Sequence, residues 1–183
     1  EVRIWNTVLN QTQIDRDRYQ RFTGKERFLV GYWPLVETDT GRLDDLTPNQ
    51  NHGTLGGEQL VTEPRWVNRD LVLAPLPRVG NGNGFEFNGI DQYLAGTGLT
   101  YTASGGLTLE ANVRLAATQA PQSWPILFVG DRLVPEVKFG LWVNSERQLV
   151  CQFGETQHVS SSALPLQTLT HVAVVLRGTT LTF

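Results

Sequence analysis

Cysteine and methionine are nearly absent from this sequence of 183 residues, which contains one cysteine, Cys151, and no methionine. A single cysteine excludes an internal disulfide and argues against a zinc site built on thiolates. We predict that Cys151 is a small apolar residue buried in a strand. Because the chain begins at Glu1 rather than at a methionine, we expect a processed or partial segment, with any signal peptide outside it.

Charge is also scarce: charged residues make up 18% of the chain, the net charge is −3 and the pI is about 5.6. This composition lacks the basic surface that binds nucleic acid, and no run of like charges forms an acidic or basic tail. No apolar run approaches the ~18 residues that a membrane-spanning helix requires. We therefore expect neither a nucleic-acid partner nor insertion into a membrane.

Turn-forming residues, by contrast, are abundant, with 18 glycines and 9 prolines, and apolar residues make up 40% of the chain. In the segment 107–115, apolar residues alternate with polar ones such as Glu110, which predicts a strand buried on one face. Further strands are predicted at 31–35, 85–87, 126–129, 138–143, 148–153, 170–176 and 181–183. Tight turns are predicted at 81–84 and 144–147, and irregular structure at 56–77. We predict an all-β fold, a two-sheet antiparallel β-sandwich or jelly roll with one short N-terminal helix.

The pattern of the first 24 residues predicts one strand followed by one helix. The segment 1–6 alternates apolar and polar residues, as a strand does. Asn10 followed by Gln13 has the spacing of a helix capping box, and Gly24 is expected to stop the helix. The apolar face of this helix is predicted to consist of Ile14, Tyr19 and Phe22. Its solvent face is predicted to consist of Arg16, Asp17, Arg18 and Arg21.

A polar loop follows the strand at 31–35 and closes at Gly53, which is expected to adopt the left-handed conformation that other residues resist. Calcium binds six to eight oxygen ligands, which loops rich in Asp and Asn can supply. The candidate calcium ligands are Asp44, Asp45, Asn49 and Asn51. The alternative is that these side chains set the turns of the loop by bonding to nearby backbone, with His52 locking the loop by hydrogen bonds.

Trp124 is the candidate for contact with a glycan, because it lies among Gln122, Ser123 and Pro125 in a predicted loop. An exposed aromatic ring beside polar side chains is the surface that a sugar ligand requires. The remaining tryptophans are expected to pack in the core or at its rim: Trp5, Trp33, Trp66 and Trp142.

Catalysis is not expected. A glycosidase needs two carboxylates about 5 to 9 Å apart, and Glu110 and Glu86 each lack a second acid on the same strand face. None of the three histidines forms a motif with serine or cysteine that would activate a nucleophile. We expect His171 to be a hydrogen-bonded sheet residue and His158 to lie in a polar loop beside three serines. We therefore predict that this chain is not an enzyme.

Several segments, taken together, resemble a known family. They are GYWPL at 31–35, NQNHGT at 49–54, FEFNGIDQYL at 85–94, LTLEA at 107–111 and HVA at 171–173. They resemble the successive signatures of laminin-G-like, concanavalin-A-like (lectin/glucanase) jelly-roll domains. The segments 1–6 and 8–14 resemble the closing strand and helix of such a domain, which pentraxins share. Leu169 is a departure, since the family has a tryptophan two residues before the strand histidine.

The resemblance implies a secreted or cell-surface, non-catalytic recognition or adhesion module that binds glycan or protein through its rim loops. It also implies calcium at one rim. The alternative is a structural repeat of an extracellular assembly or multidomain scaffold, joined to a neighbouring laminin-G-like domain or to a copy of itself by strand exchange.

The order of the matching segments is shifted relative to the family. Residues 1–25 correspond to the closing strand and helix, whereas residues 26–183 correspond to a jelly roll that is incomplete at its C-terminal end. Residues 1–25 are thus either the end of a preceding repeat or an exchanged element. We expect the segment 1–6 to pair with 29–35, either of its own chain or of a neighbour, and so to cover an open sheet edge.

Overall fold

The computed structural model of the chain describes residues 1–35, 42–55, 65–68, 83–87, 94–96, 106–117, 124–129 and 139–183. These ranges contain one helix and fourteen strands. In chain order they are β1 (Val2–Trp5), α1 (Gln11–Asp17), β2 (Leu29–Trp33), β3 (Arg42–Leu43), β4 (Gly53–Leu55), β5 (Arg65–Asn68), β6 (Asn83–Glu86), β7 (Leu94–Gly96), β8 (Leu107–Arg114), β9 (Trp124–Val129), β10 (Phe139–Val143), β11 (Gln148–Phe153), β12 (Thr156–Ala163), β13 (Leu169–Arg177) and β14 (Thr180–Thr182). The described helix is not long and apolar enough to cross a membrane.

Two large antiparallel sheets form the body of the molecule. One has five strands in the order β14-β13-β8-β1-β2, and the other has four in the order β12-β11-β10-β9. Two smaller sheets have the orders β3-β4-β7 and β5-β6. The prediction of an all-β antiparallel sandwich with one short helix is confirmed.

The core lies between the inner faces of the two large sheets. Ile4, Leu109 and Val174 of the five-stranded sheet pack with Leu141 and Cys151 of the four-stranded sheet. Cys151 is 0% exposed and its thiol is free, as predicted, and burial raises its pKa to about 12. Removal of these aliphatic side chains from water is the main force that holds the sheets together.

Strand β1 lies inside the five-stranded sheet, although it is the first segment of the chain. Val2 pairs with Trp33 of β2 on one side and with Ala111 of β8 on the other. Of the two pairings expected for the segment 1–6, the structure has the one within its own chain. Residues 1–5 are therefore integral to the sandwich that the later strands build.

Helix α1 begins as the sequence predicts but ends earlier. Asn10 and Gln13 form the capping box, in which the Asn10 side chain accepts the Gln13 N–H at 2.9 Å and Gln13 accepts the Asn10 N–H at 3.0 Å. The helix ends at Asp17, so the prediction that Gly24 stops it was wrong. Gly24 instead lies in a later turn with φ +83°, where a Cβ would come within 2.0 Å of the Leu46 carbonyl oxygen.

The helix covers the outer face of the five-stranded sheet, which corrects two predictions. Asp17 is 4% exposed rather than solvated. Glu110 and Thr108 of β8 are 2% and 0% exposed, so this strand is buried on both faces there. The residues just before the helix reach that face directly, since the Leu9 N–H donates to the Thr108 hydroxyl at 3.0 Å. The alternation of apolar and polar residues along β8 does not show that a helix covers its polar face, because polar residues can face either solvent or a buried hydrogen-bond network.

Tyr19 and Phe22, predicted on the helix, follow it in the chain. The Phe22 ring packs edge-on against Trp5 at a centroid distance of 5.3 Å and against Tyr32 at 5.9 Å. Together with Leu9 and Ile14, these rings form a second apolar cluster beneath the helix. This cluster adds apolar burial to the outer face of the sheet.

Several local predictions need correction. The segment around His158, predicted as a polar loop, is the strand β12. Its backbone pairs with β11, and this pairing does not require apolar side chains. Asn83 begins β6 instead of completing a turn, and β5 lies within the stretch predicted to be irregular. Gln50 of the polar loop has a left-handed backbone, with φ 50°, whereas Gly53, predicted to be left-handed, begins β4. The hairpin of β10 and β11 around 144–147 is confirmed.

Candidate functional site

The polar loop between β3 and β4 caps the outer edge of β2. The Asp45 carboxylate accepts four hydrogen bonds, which come from the N–H groups of Tyr32 (3.0 Å), Thr47 (2.9 Å) and Asn51 (2.9 Å) and from the Thr47 hydroxyl (2.9 Å). Asp45 is 3% exposed. The loop therefore covers the outer edge of β2, which another strand would otherwise cover.

The other predicted calcium ligands lie around this carboxylate with separate partners. Asp44 pairs with Arg42 at 2.7 Å and lies 3.3 Å from His52 Nδ1. Asn49 donates to the Val30 carbonyl at 2.9 Å, and the Asn51 side chain donates to the same oxygen at 3.5 Å. The bonds of Asn49 and Asn51 to the Val30 carbonyl fit the alternative interpretation, in which these side chains bond to backbone, whereas Asp44 contacts side chains.

Within the described ranges, no group of three His, Cys, Asp or Glu side chains has the geometry to hold a metal ion. Each Asp45 oxygen already accepts two N–H or O–H groups. Calcium ligation by Asp44, Asp45, Asn49 and Asn51 stays a prediction, and melting temperatures in excess calcium and in excess EDTA would test it.

His52 and Trp33 hold the end of this loop. The Asp45 N–H donates to His52 Nδ1 at 3.3 Å, in line with the locking role predicted for His52. The Trp33 indole N–H donates to the Asn51 carbonyl at 3.0 Å. The loop is thereby joined to β2 through both backbone and side chains.

Trp124, the predicted glycan contact, is the first residue of β9 and not a loop residue. It pairs with Val143 of β10, and its half-buried ring packs against the main core. Part of the Trp124 ring therefore contributes to the packing of the core. Contact with a glycan through the remaining exposed part stays a prediction.

A buried polar cluster lies between β1, β8 and the helix. Arg3, only 1% exposed, donates to the backbone carbonyls of Asp17 and Gln20, each at 2.8 Å, and to the Glu1 carboxylate. Arg3 also lies 3.5 Å from Glu110, and its guanidinium stacks over the Phe22 ring at 4.4 Å. Sequence reasoning missed this cluster, because the alternation of apolar and polar residues in the segment 1–6 does not show that Arg3 is buried.

Glu110 and His171 complete the cluster. The Glu110 carboxylate accepts the Trp5 indole N–H at 3.1 Å through Oε2, while Oε1 lies 4.0 Å from His171 Nε2. Within the described residues, neither Oε1 nor Nε2 has a hydrogen-bond partner. Burial raises the pKa of Glu110 against the opposing charge of Arg3, and burial together with Arg3 lowers the pKa of His171 to about 4. Arg3 and Glu110 are 1% and 2% exposed and so closed to a substrate, and we assign this pair to stability.

An open groove lies on the opposite side of the sandwich from the capped edge of β2. It has a volume of about 520 Å³ and lies between β12, at the edge of one large sheet, and β13 and β14, at the edge of the other. Its apolar lining includes Leu149, Leu164, Val172, Leu181 and Phe183. Its polar lining comprises His158, Ser160, Ser161, Ser162, His171 and Thr182.

Among the described residues that line the groove, none is Asp, Glu, Lys or Arg. Two large apolar side chains stand at its rim, with Val159 51% exposed and Phe183 38% exposed. The Ser160 hydroxyl donates to the Ser162 carbonyl at 2.9 Å and accepts the Leu149 N–H at 3.0 Å. Ser160 is thus held by backbone groups and is not paired with a histidine that would activate it.

The comparisons with known proteins add no family to this description. No family model matches the chain, and the searches of curated proteins and of solved structures found no match. The class of protein is therefore given by its fold, an all-β antiparallel sandwich with one helix.

Proposed function

We propose that this chain is a non-catalytic recognition module of a secreted or cell-surface protein, which binds a protein or glycan ligand. The observation that carries the proposal is the open groove between β12 and β13–β14, whose described lining has both apolar and polar groups. Grooves of this size with mixed linings are the usual binding sites of proteins.

The distribution of polar groups supports binding over catalysis. Arg3 and Glu110 are buried beneath the helix, and Asp17 is buried at the end of the helix, where the contacts of Arg3 join β1 to the rest of the fold. Asp45 holds the loop that caps β2. In the groove itself, Ser160 has backbone partners on both sides of its hydroxyl. The described lining of the groove therefore offers shape and hydrogen bonds to a ligand.

A second function, a structural repeat of an extracellular assembly, is favoured by the long edge strand β12. This strand has eight residues, none of them charged and none of them proline. Natural edge strands are normally protected by charges, prolines or bulges. Strand β12 has an irregular register with β11 between Gln148 and Val150 but neither charge nor proline, so the rest of its edge is a template for pairing with another chain. Strand exchange at this edge would join copies or neighbouring repeats.

A matched pair of variants tests the recognition function. The purified chain would be screened against a glycan array and an array of extracellular proteins, and each hit would be measured again with Ser162→Arg and Ser145→Arg. Both serines are exposed, but Ser162 lines the groove, whereas Ser145 lies in the hairpin turn between β10 and β11 and is not among the described lining residues.

We expect Ser162→Arg to weaken binding at least tenfold, because the long charged side chain would occupy the groove, and Ser145→Arg to bind as the parent does. No hit on either array, or hits that Ser162→Arg leaves unchanged, would contradict the proposal. A parent chain that forms dimers or larger assemblies by light scattering, and that Ser162→Arg converts to monomers, would favour the structural repeat instead.

A further inference from the structure

Phe28 has a backbone conformation that a phenylalanine resists. Its φ is 70°, in the left-handed region that glycine and asparagine enter at little cost and that strains a bulky side chain. The turn before β2 holds this conformation, because the Asn6 N–H donates to the Phe28 carbonyl at 2.8 Å and the Leu29 N–H donates to the Glu26 carbonyl at 3.2 Å. The backbone therefore requires a left-handed residue at this position, and the sequence has a costly one there.

Burial offsets little of this strain. Phe28 is 48% exposed, so its ring gains only part of the stabilisation that a core phenylalanine has. The guanidinium of Arg27, which is itself exposed, lies over the Phe28 ring at 4.5 Å from the centroid. This stacking orients the ring without taking it out of water. Strained residues that folding does not repay concentrate at functional sites, ligand-binding sites among them.

The Phe28 ring lines a pocket with a volume of about 310 Å³. This pocket lies between the turn that precedes β2 and the polar loop between β3 and β4, and its volume is at the lower end of the range for small-ligand sites. Pro48 of the polar loop, which is exposed, adds a second apolar ring to the lining. No described residue lines both this pocket and the groove beside β12, so the two are separate places on the molecule.

The polar groups of the pocket include both signs of charge. Lys25 and Glu26 both line it, so a charged ligand of either sign meets a like charge there. The Glu26 carboxylate is held in the turn because it accepts the Gly24 N–H at 2.9 Å. The Asn49 side chain donates to the Val30 carbonyl at 2.9 Å, which fixes the amide and leaves its oxygen, among the described residues, as an acceptor.

We propose that this pocket binds an uncharged sugar residue, with the Phe28 ring against the C–H face of the sugar. A hydroxyl group both donates and accepts, so the sugar can accept from Lys25 and donate to Asn49. The C–H groups of a sugar ring form an apolar face, which an aromatic ring covers. A purely aliphatic ligand would instead leave the polar groups of the pocket without partners. This site is additional to the groove of the proposed function.

The first test uses the methyl glycosides of glucose, galactose, mannose and N-acetylglucosamine, added at tens of millimolar to the isotopically labelled chain. We expect one or more of them to shift the backbone amide signals of Gly24, Lys25 and Leu29. The uronic acid and amino-sugar forms of the sugar that binds best carry a negative and a positive charge, respectively, in slightly acidic buffer. We expect each charged form to bind several-fold more weakly than the neutral sugar, because Glu26 or Lys25 repels it.

The second test is a matched set of variants. Phe28→Asn removes the ring and introduces a residue that tolerates the left-handed backbone, so we expect binding to fall at least tenfold while the melting temperature stays the same or rises. Phe28→Tyr keeps an aromatic ring and should bind the sugar as the parent does. Leu46→Asn is the control, because Leu46 is 45% exposed and is not among the described lining residues, and we expect it to bind as the parent does.

The outcomes separate this site from the groove. No signal shift with any neutral glycoside, or a shift that Phe28→Asn leaves unchanged, overturns the sugar site. A clear fall in the melting temperature of Phe28→Asn overturns it as well, because the ring would then serve folding. If a ligand is lost with Ser162→Arg but not with Phe28→Asn, the groove stands and the sugar site is wrong. The reverse result supports the sugar site and counts against the groove.

Discussion

The Asp45 carboxylate accepts the backbone N–H of Tyr32 at 3.0 Å, so a side chain occupies the place that a strand would fill beside β2. The Leu46 N–H donates to the Tyr32 carbonyl at 3.0 Å, which completes the cap of this residue. The outer side of β2 is thus closed by a loop, whereas Val172 and Ala173 of β13 line the groove. This groove is the basis of the proposed recognition function.

Replacing Asp45 by asparagine tests the cap. Asp45→Asn puts an amide group among donors that need an acceptor, so we expect a loss of about 2–4 kcal/mol in the free energy of unfolding. Asp44→Asn is the matched control, since Asp44 is partly exposed and its ion pair with Arg42 is worth less than about 1 kcal/mol. Urea unfolding monitored by tryptophan fluorescence measures both. Equal effects of the two variants would argue against the cap.

A double-mutant cycle measures the interaction between Arg3 and Glu110. Arg3→Met leaves the Glu110 carboxylate buried without its cation, and we expect a loss of about 3–5 kcal/mol. In Arg3→Met combined with Glu110→Met, the uncompensated charge is gone, so the combined loss should be smaller than the sum of the single losses by about 1 kcal/mol or more. Strict additivity in the unfolding free energies would show that the two groups do not interact.

His171 makes stability depend on pH. Its pKa in the folded chain is about 4, against an ordinary value of 6.5, because burial and the charges of Arg3 and Arg18 outweigh Asp15. Between these two values the unfolded chain binds the proton and the folded chain does not, so stability falls as the pH falls. We expect a loss of about 2 kcal/mol from about pH 7 to about pH 5, partly offset by Glu110, whose raised pKa acts in the opposite direction.

The control for this pH dependence is His171→Gln, which keeps a polar side chain but does not titrate. Unfolding free energies of the parent and the variant, measured at both pH values, should converge as the pH is lowered. A parallel decline in both proteins would assign the pH dependence to other groups.

Gly24 and Gly154 both have a left-handed backbone. Comparing their alanine variants tests how closely the turn at Gly24 packs on Leu46 of the polar loop. In Gly24→Ala the new Cβ meets the Leu46 carbonyl oxygen at 2.0 Å, and φ is +83°. In Gly154→Ala φ is +56° and nothing lies within 4 Å of the new Cβ. We expect losses of about 3 kcal/mol for Gly24→Ala and about 1 kcal/mol for Gly154→Ala in thermal or urea unfolding. A larger effect at Gly154 would contradict the close packing of Gly24 on Leu46.

Short sequence patterns predict the structural elements that are determined by residues close together in the chain. The capping box of Asn10 and Gln13 and the hairpin around 144–147 depend on residues within a few positions of one another, and both are present as predicted. The burial of Cys151 follows from its place in an apolar strand. Strand β12 was missed because its polar side chains carry no apolar alternation, while its backbone is held by the neighbouring strand β11.

The sequence by itself determined the all-β class, the start of the helix and the apolar face of β8 that forms the core, because these follow from the period of side chains along one segment. Only the tertiary structure decided that β1 lies between β2 and β8, that Arg3 and Glu110 are buried together, and that β12 and β13 border an open groove. These features join residues about a hundred positions apart, as Arg3 and Glu110 are. Their pairing depends on which sheet edges are left free when the whole chain has folded, and no short stretch of sequence contains that information.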